Sequence, residues 1–178
     1  MWLRDVELGD VDAYVRMRCD PLMMAELGGP LPVAGMAAKV ERDVAAAVTD
    51  RQWIKMIVVD GAGAPGAPGD PGAAAAAAAG VAGTVTLWAQ EEDGAPHAEI
   101  GWMVLPEFQG RGLGRWAVGE LLRLARADGR WGRVNAYPAV TNGPSNGICR
   151  SLGFTLRGER RTAFAGRSLL TNHWTVET

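Results

Sequence analysis

The chain has 178 residues, enough for one domain with a real core and too few for two independent ones. Its 18 basic and 20 acidic side chains nearly cancel and form no Lys/Arg run, which excludes a phosphate-backbone footprint and argues against a nucleic-acid partner. No window holds about 20 strongly apolar residues, so no membrane partner is expected.

Residues 2–6 read as a first strand, and Asp10 opens a helix with Val11, Tyr14, Val15, Met17 and Leu22 at roughly helical spacing. Leu27-Gly28-Gly29-Pro30 breaks it. Met36, Val40, Val44 and Ala47 mark a second amphipathic helix over 35–48, followed by a strand at 53–59. Residues 60–80 are almost purely Gly, Ala, Pro and Asp, a composition that buries too little apolar surface to offset its ordering entropy, and are expected to be a mobile hairpin insertion. Alanines 73–79 are too few for an isolated helix, which needs roughly 12–15 residues. Strands at 81–89 and 98–105 flank Glu91-Glu92-Asp93-Gly94 and should pair as a hairpin. A helix follows over 113–127, with Arg115, Arg123 and Arg126 opposite its apolar side and Gly129 stopping it. Beyond it lie a strand at 133–137, a short helix at 145–152, and strands at 154–157 and 168–176. The element order implies an α/β or α+β sheet flanked by helices within one domain, 1–178.

Cys19 and Cys149 are far apart, and His97 and His173 form no paired-ligand motif, so neither a disulfide nor a metal site is expected. The first residues show no basic n-region ahead of an apolar stretch, which leads to the expectation of a cytoplasmic protein.

Gln109-Gly110-Arg111-Gly112-Leu113-Gly114 stands directly before the 113–127 helix. Glycines at alternate positions let an anion approach the uncapped N–H groups, the helix dipole adds about half a positive charge, and Arg111 and Arg115 add charged donors. A P-loop reading fails because Gly114 is followed by Arg115-Trp116 instead of Lys-Ser or Lys-Thr. Residues 112–117 match G-x-G-x-x-A, but the next strand, Arg133-Val134-Asn135-Ala136-Tyr137, lacks the carboxylate of a dinucleotide site.

Gln109-x-x-Gly112-x-Gly114 resembles the Q/R-x-x-G-x-G/A signature of the GNAT superfamily of N-acyltransferases. The run from Ala98 to Phe108 is similar to that family's fourth strand, and Asn142-Gly143-Pro144-Ser145 with Leu152-Gly153-Phe154 to its N-x-x-S and L-G-F segments. Residues after Phe154 look most like the branch containing ribosomal-protein alanine N-acetyltransferases. The resemblance implies a mixed, mostly antiparallel sheet with helices on both faces, whose fourth strand carries a bulge and splays from the fifth. Acetyl-CoA, or another short acyl-CoA, would bind with its pyrophosphate on Gln109, Gly110, Arg111, Gly112, Leu113, Gly114 and Arg115. Its pantetheine would lie along Met103, Val104 and Leu105, with Asn142 either holding it or only fixing the turn. The Val104 N–H would then be the donor that polarises the thioester carbonyl.

The same resemblance implies an amine acceptor and a base to deprotonate it, for which Glu99 is the candidate, with His97 and His173 behind it. The tyrosine that many members place four residues before the L-G-F glycine is Cys149 here. Ser145 is the remaining candidate acid, unless its hydroxyl only caps the helix. The acceptor pocket is expected from the loop containing 27–30 and from the loop before the last strand. A non-catalytic acyl-CoA-binding module is the alternative function, and a homodimer is left open.

Overall fold

The computed structural model describes residues 1–50, 52–60, 80–92, 95–164 and 166–178. Residues 61–79 and 93–94, on which the readings of a mobile insertion and of a hairpin turn fall, lie outside the described residues. Strands β1 (Trp2–Asp5), β2 (Gln52–Val59), β3 (Gly80–Glu92), β4 (Ala95–Val104), β5 (Arg133–Ala136), β6 (Thr155–Phe164) and β7 (Arg167–Glu177) form one sheet. Its order is β1-β2-β3-β4-β5-β7-β6, and only β4 and β5 run parallel. Helices α1 (Val11–Arg18) and α2 (Met36–Val48) pack on each other, with α2 against β2 and α1 against β3. The long helix α3 (Leu113–Asp128) crosses β3 and β4, and the short α4 (Gly143–Ser151) touches α3.

Helix α3 shows how the pattern becomes packing. Leu113, Ala117, Val118, Leu121, Leu122 and Ala125 recur at helical spacing and are all buried. Burial of Leu121 and Leu122 contributes about 1.5–3 kcal/mol each. Gly129, at φ 78°, takes the left-handed conformation that ends the helix, and its N–H donates to the Ala125 carbonyl at 3.0 Å.

The break in the sheet positions the site. Strands β4 and β5 pair only at Ala98↔Val134 and Glu99↔Asn135. Past Ala136 the chain follows β7 instead: the Asn172 N–H donates to the Pro138 carbonyl, the Val140 N–H donates to Leu170, and Ala139 bridges Thr171. Strand β4 is thus left without a β5 partner from Ile100 onward, which is the expected splay.

Two expectations are corrected. The bulge lies in β3, where Ala82 is skipped between Ile57↔Gly83 and Val58↔Val81, while the β3–β4 register runs unbroken. Gly83 permits a close approach there, since a Cβ would sit 2.2 Å from the Met103 carbonyl oxygen. The sixth strand, expected over 154–157, extends to Phe164. It is an edge strand exposed along most of its length, so no apolar alternation announces it.

Candidate active site

A cleft of about 1110 Å³ opens at the splay. One wall is backbone. The β4 strand ends at Val104, and the turn Pro106–Phe108 that follows Leu105 is pinned to α1 by the Arg16–Glu107 ion pair. Gln109 then folds back, donating from Nε2 to the Val104 carbonyl at 2.9 Å. Gly110 and Gly112 have φ of 72° and 77°, and an added Cβ at either would meet nothing within 4 Å. Their glycines therefore answer a backbone requirement and leave open space in front of the turn. Gly112 begins α3 with no side-chain cap, and the helix's hydrogen bonding opens with the Trp116 N–H donating to the Gly112 carbonyl. The N–H groups of Leu113, Gly114 and Arg115 precede it and have no carbonyl one turn back within the helix. Gly114 has a different reason to be glycine, because a Cβ would lie 3.0 Å from Ile148 Cδ1 and 3.4 Å from Val104 Cγ2.

Met103, Val104, Gln109, Gly110, Gly112, Leu113, Gly114 and Arg115 all line this cleft, as do Asn142 and Ser145. Arg111 and Leu105 are not among its lining residues. The Arg111 guanidinium stacks over the Phe108 ring at 5.5 Å, and the Leu105 N–H and carbonyl are already bonded to Ala82 and Phe108.

Glu99 faces the cleft where β4 and β5 part, paired across the sheet with Trp88 and Asn135. Burial pushes its carboxyl up to about 7, against a smaller opposing pull from the Arg160 charge. Arg160 stands 5.2 Å over the Tyr137 ring, which stacks on His173 at 4.9 Å, and His173 Nε2 meets Asn135 Oδ1 at 2.8 Å. Tyr137 and Arg160 line the cleft and were missed in the sequence, where only the position of Tyr137 at a strand end was a signal. His97 also lines the cleft, half-buried.

Ser145 is held by its helix. Asn142, not Ser145, is the cap: its Oδ1 accepts from the Ser145 N–H at 3.0 Å, so α4 starts two residues earlier than expected. Asn146, 2 % exposed, fills its hydrogen-bonding capacity. Its Nδ2 donates to the Ala139 and Asn142 carbonyls, and its Oδ1 accepts from Asn172 Nδ2 and Trp174 Nε1. Those four bonds lock α4 to β7 and to the loop after β5. Cys149 lies in the core, fully buried, with its thiol pushed up to about 12 by burial.

The opposite wall is made of side chains. Leu22, Met23, Glu26 and Leu27 come from the segment between α1 and α2, Lys39 and Asp43 from α2. Tyr14 donates to Asp43 at 2.8 Å, and Lys39 bonds the same carboxylate at 3.0 Å. From the far end of the sheet come residues of β6 and β7, Arg160 to Phe164 with Leu169 and Thr171. The expected loop before the last strand is therefore a strand pair, and Gly28 and Gly29 lie under the Arg167 side chain instead of on the wall.

Residues 1–155 match the family model of the acetyltransferase (GNAT) domain. The chain belongs to the GNAT family. It is an acyl-CoA-dependent acetyltransferase by that membership. Among solved structures it is similar to RimL, the ribosomal L7/L12 alpha-N-protein acetyltransferase, with a TM-score of 0.72 and 17 % identity over 99 % of this chain and 89 % of that one. It is also similar to the microcin C7 self-immunity acetyltransferase MccE, solved with acetyl-CoA and AMP, with a TM-score of 0.72 and 16 % identity over 99 % and 91 % of the two chains. A third is the ribosomal-protein-S5-alanine acetyltransferase from Vibrio fischeri, with a TM-score of 0.70 and 14 % identity over 98 % and 91 %. These likenesses show a shared GNAT fold. No curated protein matches the chain by sequence. Among the described residues there is no cluster of His, Cys, Asp and Glu fit to hold a metal, and no helix long and apolar enough to cross a membrane.

Proposed function

We propose that this GNAT protein transfers the acetyl group of acetyl-CoA directly onto a primary amine, of a small molecule or a protein N-terminus, while both substrates are bound. The observation that carries the reading is the meeting, in one cleft, of an open glycine turn at an uncapped helix N-terminus and a buried carboxyl lifted to about 7. The turn from Gln109 to Gly114, with Arg115, takes the pyrophosphate through backbone N–H groups and charge. Arg111 adds to it from the rim. The unpaired side of β4 at Met103 and Val104 takes the pantetheine amides by strand addition, and Asn142 flanks that arm. Leu105 contributes to the strand's geometry and not a free donor, given its bonds to Ala82 and Phe108.

An ammonium has no lone pair, so transfer begins with loss of a proton, and Glu99 receives it. The amine nitrogen then bonds to the thioester carbonyl carbon, whose developing oxyanion is met by the Val104 N–H. When the tetrahedral centre collapses, the nitrogen gives up its second proton to solvent, the C–S bond breaks and the sulfur leaves as thiolate. Ser145 is the hydroxyl assigned to that sulfur, relaying a proton from water. The test is thiol release from acetyl-CoA over a panel of amines, with initial rates at varied concentrations of both substrates. Intersecting double-reciprocal lines are expected. Parallel lines would mean an acetyl-enzyme, and no thermal shift with millimolar CoA would overturn the reading altogether.

A further inference from the structure

The side-chain wall of the cleft carries uncompensated positive charge. Its basic groups are Arg18, Lys39, Arg160 and Arg161; its acidic ones are Asp43, which answers Lys39 at 3.0 Å, Glu26, which accepts from the Thr141 hydroxyl, and Glu99, raised by burial to about 7 and so only partly charged at neutral pH. Arg18 has no such partner. It ends α1, lines the cleft half-buried, and forms no ion pair among the described residues. Its guanidinium rests 5.3 Å over the Tyr14 ring, and the Tyr14 hydroxyl is itself committed to Asp43. The Arg18 Nε is shielded from water and has no acceptor among the described residues.

A guanidinium donor out of water without an acceptor is costly, and the planar fork of Arg matches the two oxygens of a carboxylate or phosphate. The residue is also held in place: the Leu31 N–H donates to the Arg18 carbonyl at 2.8 Å, and the aromatic face of Tyr14 supports the fork. We infer that the amine acceptor carries an anionic group, a carboxylate or a phosphate, and that Arg18 is the residue that grips it. This rests on the acetyl-transfer reading above and names the acceptor class for the same cleft. Polyamines are disfavoured, because Arg18 and Arg160 on the same wall would repel a second cation.

Two matched sets of acceptors test the inference and separate its two sources. One set is O-phosphoethanolamine against ethanolamine; the other is the peptide amide Ala-Asp-Ala against Ala-Asn-Ala and Ala-Lys-Ala. Thiol release gives kcat and KM for each. Wild-type protein should favour the anionic member of at least one set by about 10-fold or more in kcat/KM, mainly through KM. The set showing the preference identifies the source as a small phosphorylated or an acidic peptidic amine. In Arg18→Gln the ratio should collapse to within about twofold, and Arg18→Lys should restore part of it because the charge returns without the fork. A packing role for Arg18 on Tyr14 would lower both members alike and leave the ratio intact.

Equal kcat/KM for charged and neutral members in wild-type protein, or a ratio unchanged in Arg18→Gln, overturns the inference while leaving acetyl transfer standing. If no amine releases thiol, calorimetry of O-phosphoethanolamine and of Ala-Asp-Ala amide into CoA-loaded protein decides it. Heat of binding lost in Arg18→Gln supports the grip, and no heat with either probe rejects it. Failure to bind acetyl-CoA in the first place is the separate result that removes the transfer reading itself.

Discussion

The two walls of the cleft are built from different material. On the cofactor side, backbone does the work: Gly110 and Gly112 at positive φ, the uncapped start of α3 and the unpaired length of β4. On the acceptor side, side chains from α1, α2, the end of β5 and the β6–β7 pair converge from three separate stretches of the chain, 18–43, 137–139 and 160–171. A backbone site needs glycines at fixed spacing, and spacing can be read in a sequence. A side-chain site depends on the register of distant strands and leaves no local pattern.

The comparison is sharpened first by Glu99, which joins the two walls. Glu99→Gln is expected to lower turnover by about 10²–10³-fold at neutral pH. The wild-type rate should rise with pH as the carboxyl ionises around 7, and that limb should vanish in the variant, with partial recovery toward the amine's own pKa. Linkage supplies a second reading of the same group. Its folded value, about 7, lies above the ordinary 4.5, so the folded state holds the proton more tightly. Stability from this group is full below 4.5 and is lost as pH rises through about 7, by up to about 3 kcal/mol, and Glu99→Gln should flatten that slope in denaturant melts.

A change confined to the backbone wall comes next. Gly112→Val combines a β-branched side chain with a φ of 77°, and should weaken acetyl-CoA binding by about 100-fold in calorimetry. Retained affinity in a folded Gly112→Val protein would show that the turn tolerates a Cβ and that the glycine pattern is incidental.

Asn146 tests how the side-chain wall is held. Asn146→Ala strands the Trp174 and Asn172 donors together with two carbonyls, at a cost of about 2–4 kcal/mol in chemical denaturation. The smallest effects should separate neighbours on α4. Asn142→Ala removes the cap and costs about 1 kcal/mol, whereas Ser145→Ala should leave the melting curve in place and lower turnover by about 10-fold. A Ser145→Ala protein with full turnover would return that hydroxyl to a bystander role.

How much was legible follows the same division. Helix α3 and its stop at Gly129 were readable because burial of Leu113, Leu121 and Ala125 forces helical periodicity. The Gln109 to Gly114 turn was readable because conformation restricts residue choice there. Arg18, Tyr137 and Arg160 were not, since a charged or aromatic side chain looks the same in the sequence whether it faces solvent or a cleft. The length of β6 was hidden for a related reason: an edge strand with mostly exposed residues needs no alternation. The bulge in β3 was invisible too, because it depends on Gly83 passing close to the Met103 carbonyl, a contact between residues twenty positions apart.

Cys149 lies at the position where many relatives of this family carry a tyrosine, and its burial turns it into a reporter. A thiolate is the reactive form towards alkylating reagents, and a fully buried thiol lifted to about 12 supplies almost none at neutral pH. Cys19, the other free thiol, is only half-buried. Modification of Cys149 in the folded protein therefore has to wait for the core around α4 to open. The ratio of its labelling rate to that of the unfolded chain measures the free energy of that opening, without any added probe.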